Sequence, residues 1–200
     1  MSDVLPERRS PVFAVWLIVA GVIGWWAAFS LTIEKFHALT NPGEGASCDF
    51  SVLVQCSKNL ESWQGSVFGF PNPVLGLACW VAPIVVGVAM LAGARFSRWF
   101  WIVFWAGFVF AFGFVCWLIA QSIFALATLC PWCLVTWSVT IPSFFAVTLH
   151  ILRIGALPVS ERVRDIADTL MGWVPLMTVI AYAIIAVMAQ VRLDVLGSLF

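Results

Sequence analysis

Charge is what this sequence has least of. Acidic and basic residues make up only 10% of its 200 positions and cancel to a net charge of zero. A soluble domain carries roughly 25%, so a water-soluble globule is excluded. Zero net charge also removes the usual electrostatic footprint of a nucleic-acid binder. No Asp, Glu, Lys or Arg interrupts any of the long apolar runs. Pumps and ion-coupled transporters place ionisable groups at mid-membrane depth, so this absence argues against transport. There are only two histidines, His37 and His150, near opposite ends of their runs and too far apart to share a site. Internal repeats and low-complexity segments are absent. Six cysteines are too few for a disulfide scaffold of this length, so their placement matters more than their number.

What the chain has is apolar length. Hydrophobic residues make up 62% of it. The first run, Val12 to Ile33, is 22 residues without a charge and carries Trp25 and Trp26. A signal-peptide core is about 7–15 residues long, so this is read as an uncleaved first span. Further spans are expected over residues 73–93, 99–120, 131–152 and 171–191, the fourth with a kink at Pro142. Each has the roughly 20 residues that cross a bilayer. Residues 153–170 suggest an amphipathic surface helix, and Lys58 to Gln64 a short one.

Five spans put the termini on opposite sides. With the N-terminus inside, the inner segments hold seven cations: Arg8, Arg9, Arg95, Arg98, Arg153, Arg162 and Arg164. The outer ones hold three, Lys35, Lys58 and Arg192. The positive-inside rule selects that orientation. The polar loop 34–70, with the turn-like Asn41-Pro42-Gly43, is then extracytoplasmic, and so is the head of the fourth span.

Four cysteines meet at that outer face, where disulfides persist. Cys48 and Cys56 lie on the loop, and Cys130-Pro131-Trp132-Cys133 opens the fourth span. Proline is favoured at the first helical position, which makes Cys130 the N-cap and puts Cys133 in the first turn. Unpaired N–H groups and the helix dipole there favour a thiolate. Two dithiols on one face suggest a thiol–disulfide relay. The loop pair is placed to meet a protein, and the helix pair a lipid-soluble acceptor. An acceptor of two electrons that lives in the bilayer points to a quinone.

The ordered set Cys48-Asp49, Cys56-Ser57 after a gap of seven residues, Trp63, Asn72 at the head of a span, and C-x-x-C at the head of the fourth resembles the vitamin K epoxide reductase family over most of residues 12–152. The fifth span and outward C-terminus resemble its bacterial members. The fold this implies is all-α and integral to the membrane: a four-helix transmembrane bundle, a fifth peripheral transmembrane helix and an extracytoplasmic capping loop. By resemblance, Cys48 exchanges with a partner, Cys56 passes electrons to Cys130, and Cys133 faces the quinone, of menaquinone, ubiquinone or phylloquinone type. Asn72 matches an asparagine that hydrogen-bonds a quinone carbonyl. Ser57, Trp63 and Trp137 are further candidate quinone contacts, and Asp49 a supporting residue. At Trp137 vertebrate members have tyrosine; indole donates one hydrogen bond and accepts none. Many bacterial members carry a thioredoxin-like domain after the fifth span. Here the partner is expected to be a separate secreted or membrane-anchored thioredoxin-fold protein, and the location the inner or plasma membrane.

The function this resemblance implies is oxidation of a DsbA-like thioredoxin-fold partner with the electrons passed to the quinone, in support of disulfide formation. The alternatives start with an epoxide or quinone reductase proper. The four cysteines also suit a static disulfide, or a four-thiolate zinc site in a non-enzymatic membrane protein; no metal is expected, because such sites rarely straddle an oxidising face. Asn72 before Pro73 and Ser57 both suit helix caps. Cys79 and Cys116, inside spans two and three, read as buried small hydrophobes.

Overall fold

The computed structural model describes residues 10–41, 43–195 and 197. Arg8, Arg9 and Pro42 lie outside them. Eight α-helices are described: α1 (Pro11–Thr40), α2 (Ser57–Glu61), α3 (Asn72–Cys79), α4 (Val81–Leu91), α5 (Arg98–Ala120), α6 (Pro131–Arg153), α7 (Glu161–Met171) and α8 (Val174–Leu193). A 3-10 turn, Trp63–Ser66, follows α2, and a π-helical turn, Gln121–Leu126, continues α5. Among the described residues, five helical stretches are long and apolar enough to cross a membrane: α1, α3 with α4, α5 with its π turn, α6 and α8. The protein is an all-α, multi-pass membrane protein.

Helix α1 packs on α3, α4 and α6, α5 packs on α6, and α8 lies against α6 and the π turn. Without a hydrophobic drive between helices in lipid, small residues set such contacts. A Cβ on Gly24 of α1 would come within 2.3 Å of the Trp80 ring, and one on Gly87 of α4 within 2.6 Å of the Ala14 carbonyl oxygen. The second span is broken at Trp80, between α3 and α4. Pro83 explains the position: it has no N–H to give the Cys79 carbonyl. Trp80 fills the bend and is itself buried against α1.

Pro142 lies inside α6, which stays helical through it. Proline there leaves the Ser138 carbonyl without its helical donor. The hydroxyl of Tyr182, the chain's single tyrosine, reaches across from α8 and donates to that carbonyl. Helix α7 is amphipathic and packs on α6, with Val163, Ile166 and Leu170 exposed. The segment 121–129 is not simply a connection: six of its residues extend the α5 helix, and only 127–130 link it to α6.

Candidate redox site

Local sequence sets the head of α6. Pro131 occupies the first turn, Cys130 is the N-cap, and the Cys130 sulfur accepts the Cys133 N–H at 3.4 Å. Cys48 and Cys56 form a disulfide. The Cys130 thiol lies 3.5 Å from the Cys56 sulfur. Cys48, Cys56 and Cys130 are buried together in one apolar cluster with Leu31, Ala46 and Leu60, and Cys133 packs against it. Cys130 and Cys133 are free thiols. The Cys130 pKa is lowered, first by the hydrogen bond with the Cys133 side chain. Burial and the Asp49 charge oppose that shift, while the Cys133 and Trp132 N–H groups assist it.

Asp49 organises the loop beneath the disulfide. Its Oδ1 accepts from the N–H of Cys56 at 2.6 Å and of Ser57 at 3.1 Å. Its Oδ2 accepts from the Ser57 hydroxyl at 2.6 Å and the Ala46 N–H at 3.1 Å. Burial raises its pKa, but the bonds from the Ser57 hydroxyl and from the N–H groups of Ser57, Cys56 and Ala46 outweigh it, and the net shift is downward.

A second tie was missed in reading the sequence. Val54 and Leu129 form an isolated parallel bridge. The Leu129 N–H donates to the Leu53 carbonyl at 2.8 Å, and the Gln55 N–H to the Leu129 carbonyl at 3.1 Å. The buried Thr128 hydroxyl adds a bond to Leu53 at 3.0 Å. The residue before Cys130 is thereby held to the segment before Cys56. The apolar trio Val52-Leu53-Val54 inside a polar loop was the available signal.

Beside Cys133 lies an apolar cavity of about 830 Å³, lined by α1, α3, α4, α5 and α6. Of the sequence candidates, Cys133, Asn72 and Trp137 line it. Ser57 and Trp63 are not among its lining residues: Ser57 is engaged by Asp49, and Trp63 is mostly exposed, 5.8 Å from the Trp117 ring. Asn72 is the first residue of α3 rather than its cap, and its side chain makes no cap bond. Instead it braces residues 64–72, accepting from the Val67 N–H at 3.1 Å and donating to the Gln64 carbonyl at 2.6 Å. Trp137 also borders a groove of about 630 Å³ beside α8.

Sequence reasoning missed the polar rim of the cavity. Gln64 donates to Gln121 at 3.2 Å, and the Ser122 hydroxyl donates to Asn59 Oδ1 at 3.2 Å. The Asn59 side-chain nitrogen is buried and has no hydrogen-bond partner among the described residues. Cys79 and Cys116 are exposed on their helices rather than buried, and Cys79 lines the cavity. A thiol facing lipid is as apolar a choice as one in a core, which is why the sequence did not separate the two. His150 is buried, stacked on Phe13 with ring centres 4.2 Å apart. The ligand atoms of Cys48, Asp49 and Cys56 lie within 4.8 Å of one another. The two sulfurs are bonded to each other, however, and a disulfide offers no thiolate to a cation.

A bundle of membrane-spanning helices with a disulfide packed against a C-x-x-C helix head defines a membrane redox protein. The sequence profile of the Vitamin K epoxide reductase family matches residues 15–148, and the chain belongs to that family. It is an oxidoreductase in the general sense that the family is. Comparison with curated proteins and with solved structures returns no match.

Proposed function

We propose that this protein oxidises a thioredoxin-fold partner on the extracytoplasmic side of the membrane and passes the electrons through its two cysteine pairs to a quinone. The observation that carries this reading is the 3.5 Å approach of the Cys130 sulfur to the Cys56 sulfur of the loop disulfide.

The partner's dithiol reduces the Cys48–Cys56 disulfide and becomes a disulfide itself. The Cys56 thiolate then attacks Cys130 of an oxidised Cys130–Cys133 pair, and Cys133 leaves as a thiolate. Cys48 attacks Cys56 and displaces Cys130, so the loop disulfide re-forms and the helix pair is left as a dithiol. The state described here, with the loop pair oxidised and the helix pair reduced, corresponds to the end of that step. When bound, the quinone accepts two electrons and two protons, which returns Cys130 and Cys133 to a disulfide.

The apolar cavity fits a prenylated ring in size and lining. The Asn59 nitrogen supports a polar guest near the rim, because a buried donor left unpaired costs about 1–3 kcal/mol. Asn72 and Trp137 supply further N–H groups from the wall, while Cys133 faces the redox end. Such a relay serves disulfide formation in exported proteins.

The test is a pair of cysteine variants, each assayed with a reduced thioredoxin-fold protein and with dithiothreitol as donors to quinone. Cys48→Ala should lose partner oxidation but keep part of the dithiothreitol reaction, because a small dithiol reduces the helix pair directly. Cys133→Ala should lose both. Quinone reduction by Cys133→Ala with dithiothreitol would refute the relay. Running vitamin K epoxide beside the quinone separates epoxide reduction from this activity.

A further inference from the structure

Helix α1 does not stop where its apolar run stops. It continues past Ile33 to Thr40 and carries Glu34 and Lys35 beyond the apolar run. Consecutive helical residues point about 100° apart, and these two reach opposite ends of the redox segment. Glu34 accepts from the Ser47 N–H at 3.0 Å and also from the Ser47 hydroxyl. Lys35 donates to the Leu60 carbonyl at 2.7 Å. Ser47 immediately precedes Cys48, and Leu60 lies in α2, the helix whose N-cap is Cys56. Beneath the two grips lies the apolar cluster that unites Leu31 of α1 with Cys48, Cys56, Leu60 and Cys130.

We propose that Glu34 and Lys35 act as a clasp, positioning residues that press both ends of the Cys48–Cys56 segment onto the bundle and so set the approach of Cys56 to Cys130. Lys35 acts through α2, whose far end it holds while Asp49 holds the Cys56 end. Glu34 acts through Ser47 on the segment entering Cys48. The place of the clasp in turnover rests on the relay proposed above, but its test requires neither quinone nor partner.

The exchange it governs is redox-neutral. The Cys130 thiolate attacks the Cys56 sulfur, the Cys48–Cys56 bond breaks, and Cys48 leaves as a thiolate. In a Cys133→Ala background the resulting Cys56–Cys130 disulfide cannot be resolved through Cys133. Its rate of formation is read by quenching with an alkylating agent and mapping the disulfide-linked peptides. Lys35→Met and Glu34→Ala should each slow it by about tenfold, since small misplacements of reacting groups cost that much or more. Lys35→Arg, which keeps a cationic donor, should return the rate to within about threefold.

Folding is checked by the melting midpoint and by diamide oxidation of the Cys130–Cys133 pair in the native-cysteine protein, a bond made within α6 without the loop. Unchanged exchange rates in both Lys35→Met and Glu34→Ala overturn the clasp. So does a Lys35→Arg variant as slow as Lys35→Met, or a loss of rate matched by an equal loss of the α6 disulfide. If the wild-type protein reduces no quinone with any donor, the relay reading falls, and the exchange rates still decide the clasp.

Discussion

Replacing Asp49 by alanine should loosen the redox loop without unfolding the bundle. Four hydrogen bonds end on this carboxylate, from Ala46, Cys56 and two groups of Ser57. A bond to a charged acceptor contributes about 1.5–3 kcal/mol when well buried. Asp49 is only partly buried, so solvent screening reduces each to about 1 kcal/mol. Ala46 also bonds the Ser57 hydroxyl and keeps that partner. The remaining loss is about 3 kcal/mol of local opening free energy, which is a factor of roughly 100 in amide protection. Hydrogen exchange followed by mass spectrometry on detergent-solubilised protein reads this at Cys56 and Ser57, while the α1 and α6 amides serve as internal controls.

The same carboxylate fixes the direction of the pH dependence. Its folded pKa is below the ordinary 3.8, so its contribution is complete above that value and is lost as pH falls through the lowered pKa. Loop protection in the wild type should therefore hold down to about pH 4 and decline below it, and in Asp49→Ala it should show no such step. Protection at Cys56 and Ser57 within threefold of wild type in the variant would refute the reasoning.

Two other substitutions test the membrane-embedded part. Gly24→Val puts a side chain where the Trp80 ring lies and should destabilise the bundle by about 3 kcal/mol or prevent its folding, read as a lower melting midpoint and poor monodispersity. Cys116→Ala and Cys79→Ala should each leave quinone turnover within about twofold. Cys79→Trp, which fills part of the cavity, should raise the quinone KM while the diamide oxidation of Cys130–Cys133 is unchanged.

The spans were legible because uninterrupted apolar length has few alternatives, and the α6 head was legible because Pro131 fixes which residue is the cap. What escaped depended on partners distant in sequence. Glu34 and Lys35 look like the exit from a membrane, yet the helix continues through them and the pair holds the loop. Ser57 and Trp63 were candidate ligand contacts by their places in the ordered motif that resembles the family. Their directions were set by Asp49 and by the surface packing of Trp63 on Trp117, neither of which a linear reading contains. Residues 121–126 carry no loop-forming Gly or Pro because they continue the α5 helix, and the wider π winding carries Gln121 and Ser122 to the cavity rim.

The Tyr182 bond to Ser138 has a consequence for the order in which the protein is made. The ribosome completes α6, with Pro142 in it, before any of α8 exists. Until the last helix arrives, the Ser138 carbonyl has neither its own helical donor nor the tyrosine. In hydrocarbon an unsatisfied carbonyl costs several kcal/mol, so the newborn fourth span is an incomplete object at the depth of one peptide group. It must wait at the translocon, borrow a water or a neighbour's hydroxyl, or sit shallow in the bilayer. The later insertion of α8 ends that interval, so the hydrogen bonding of the fourth span is completed only by a helix made after it.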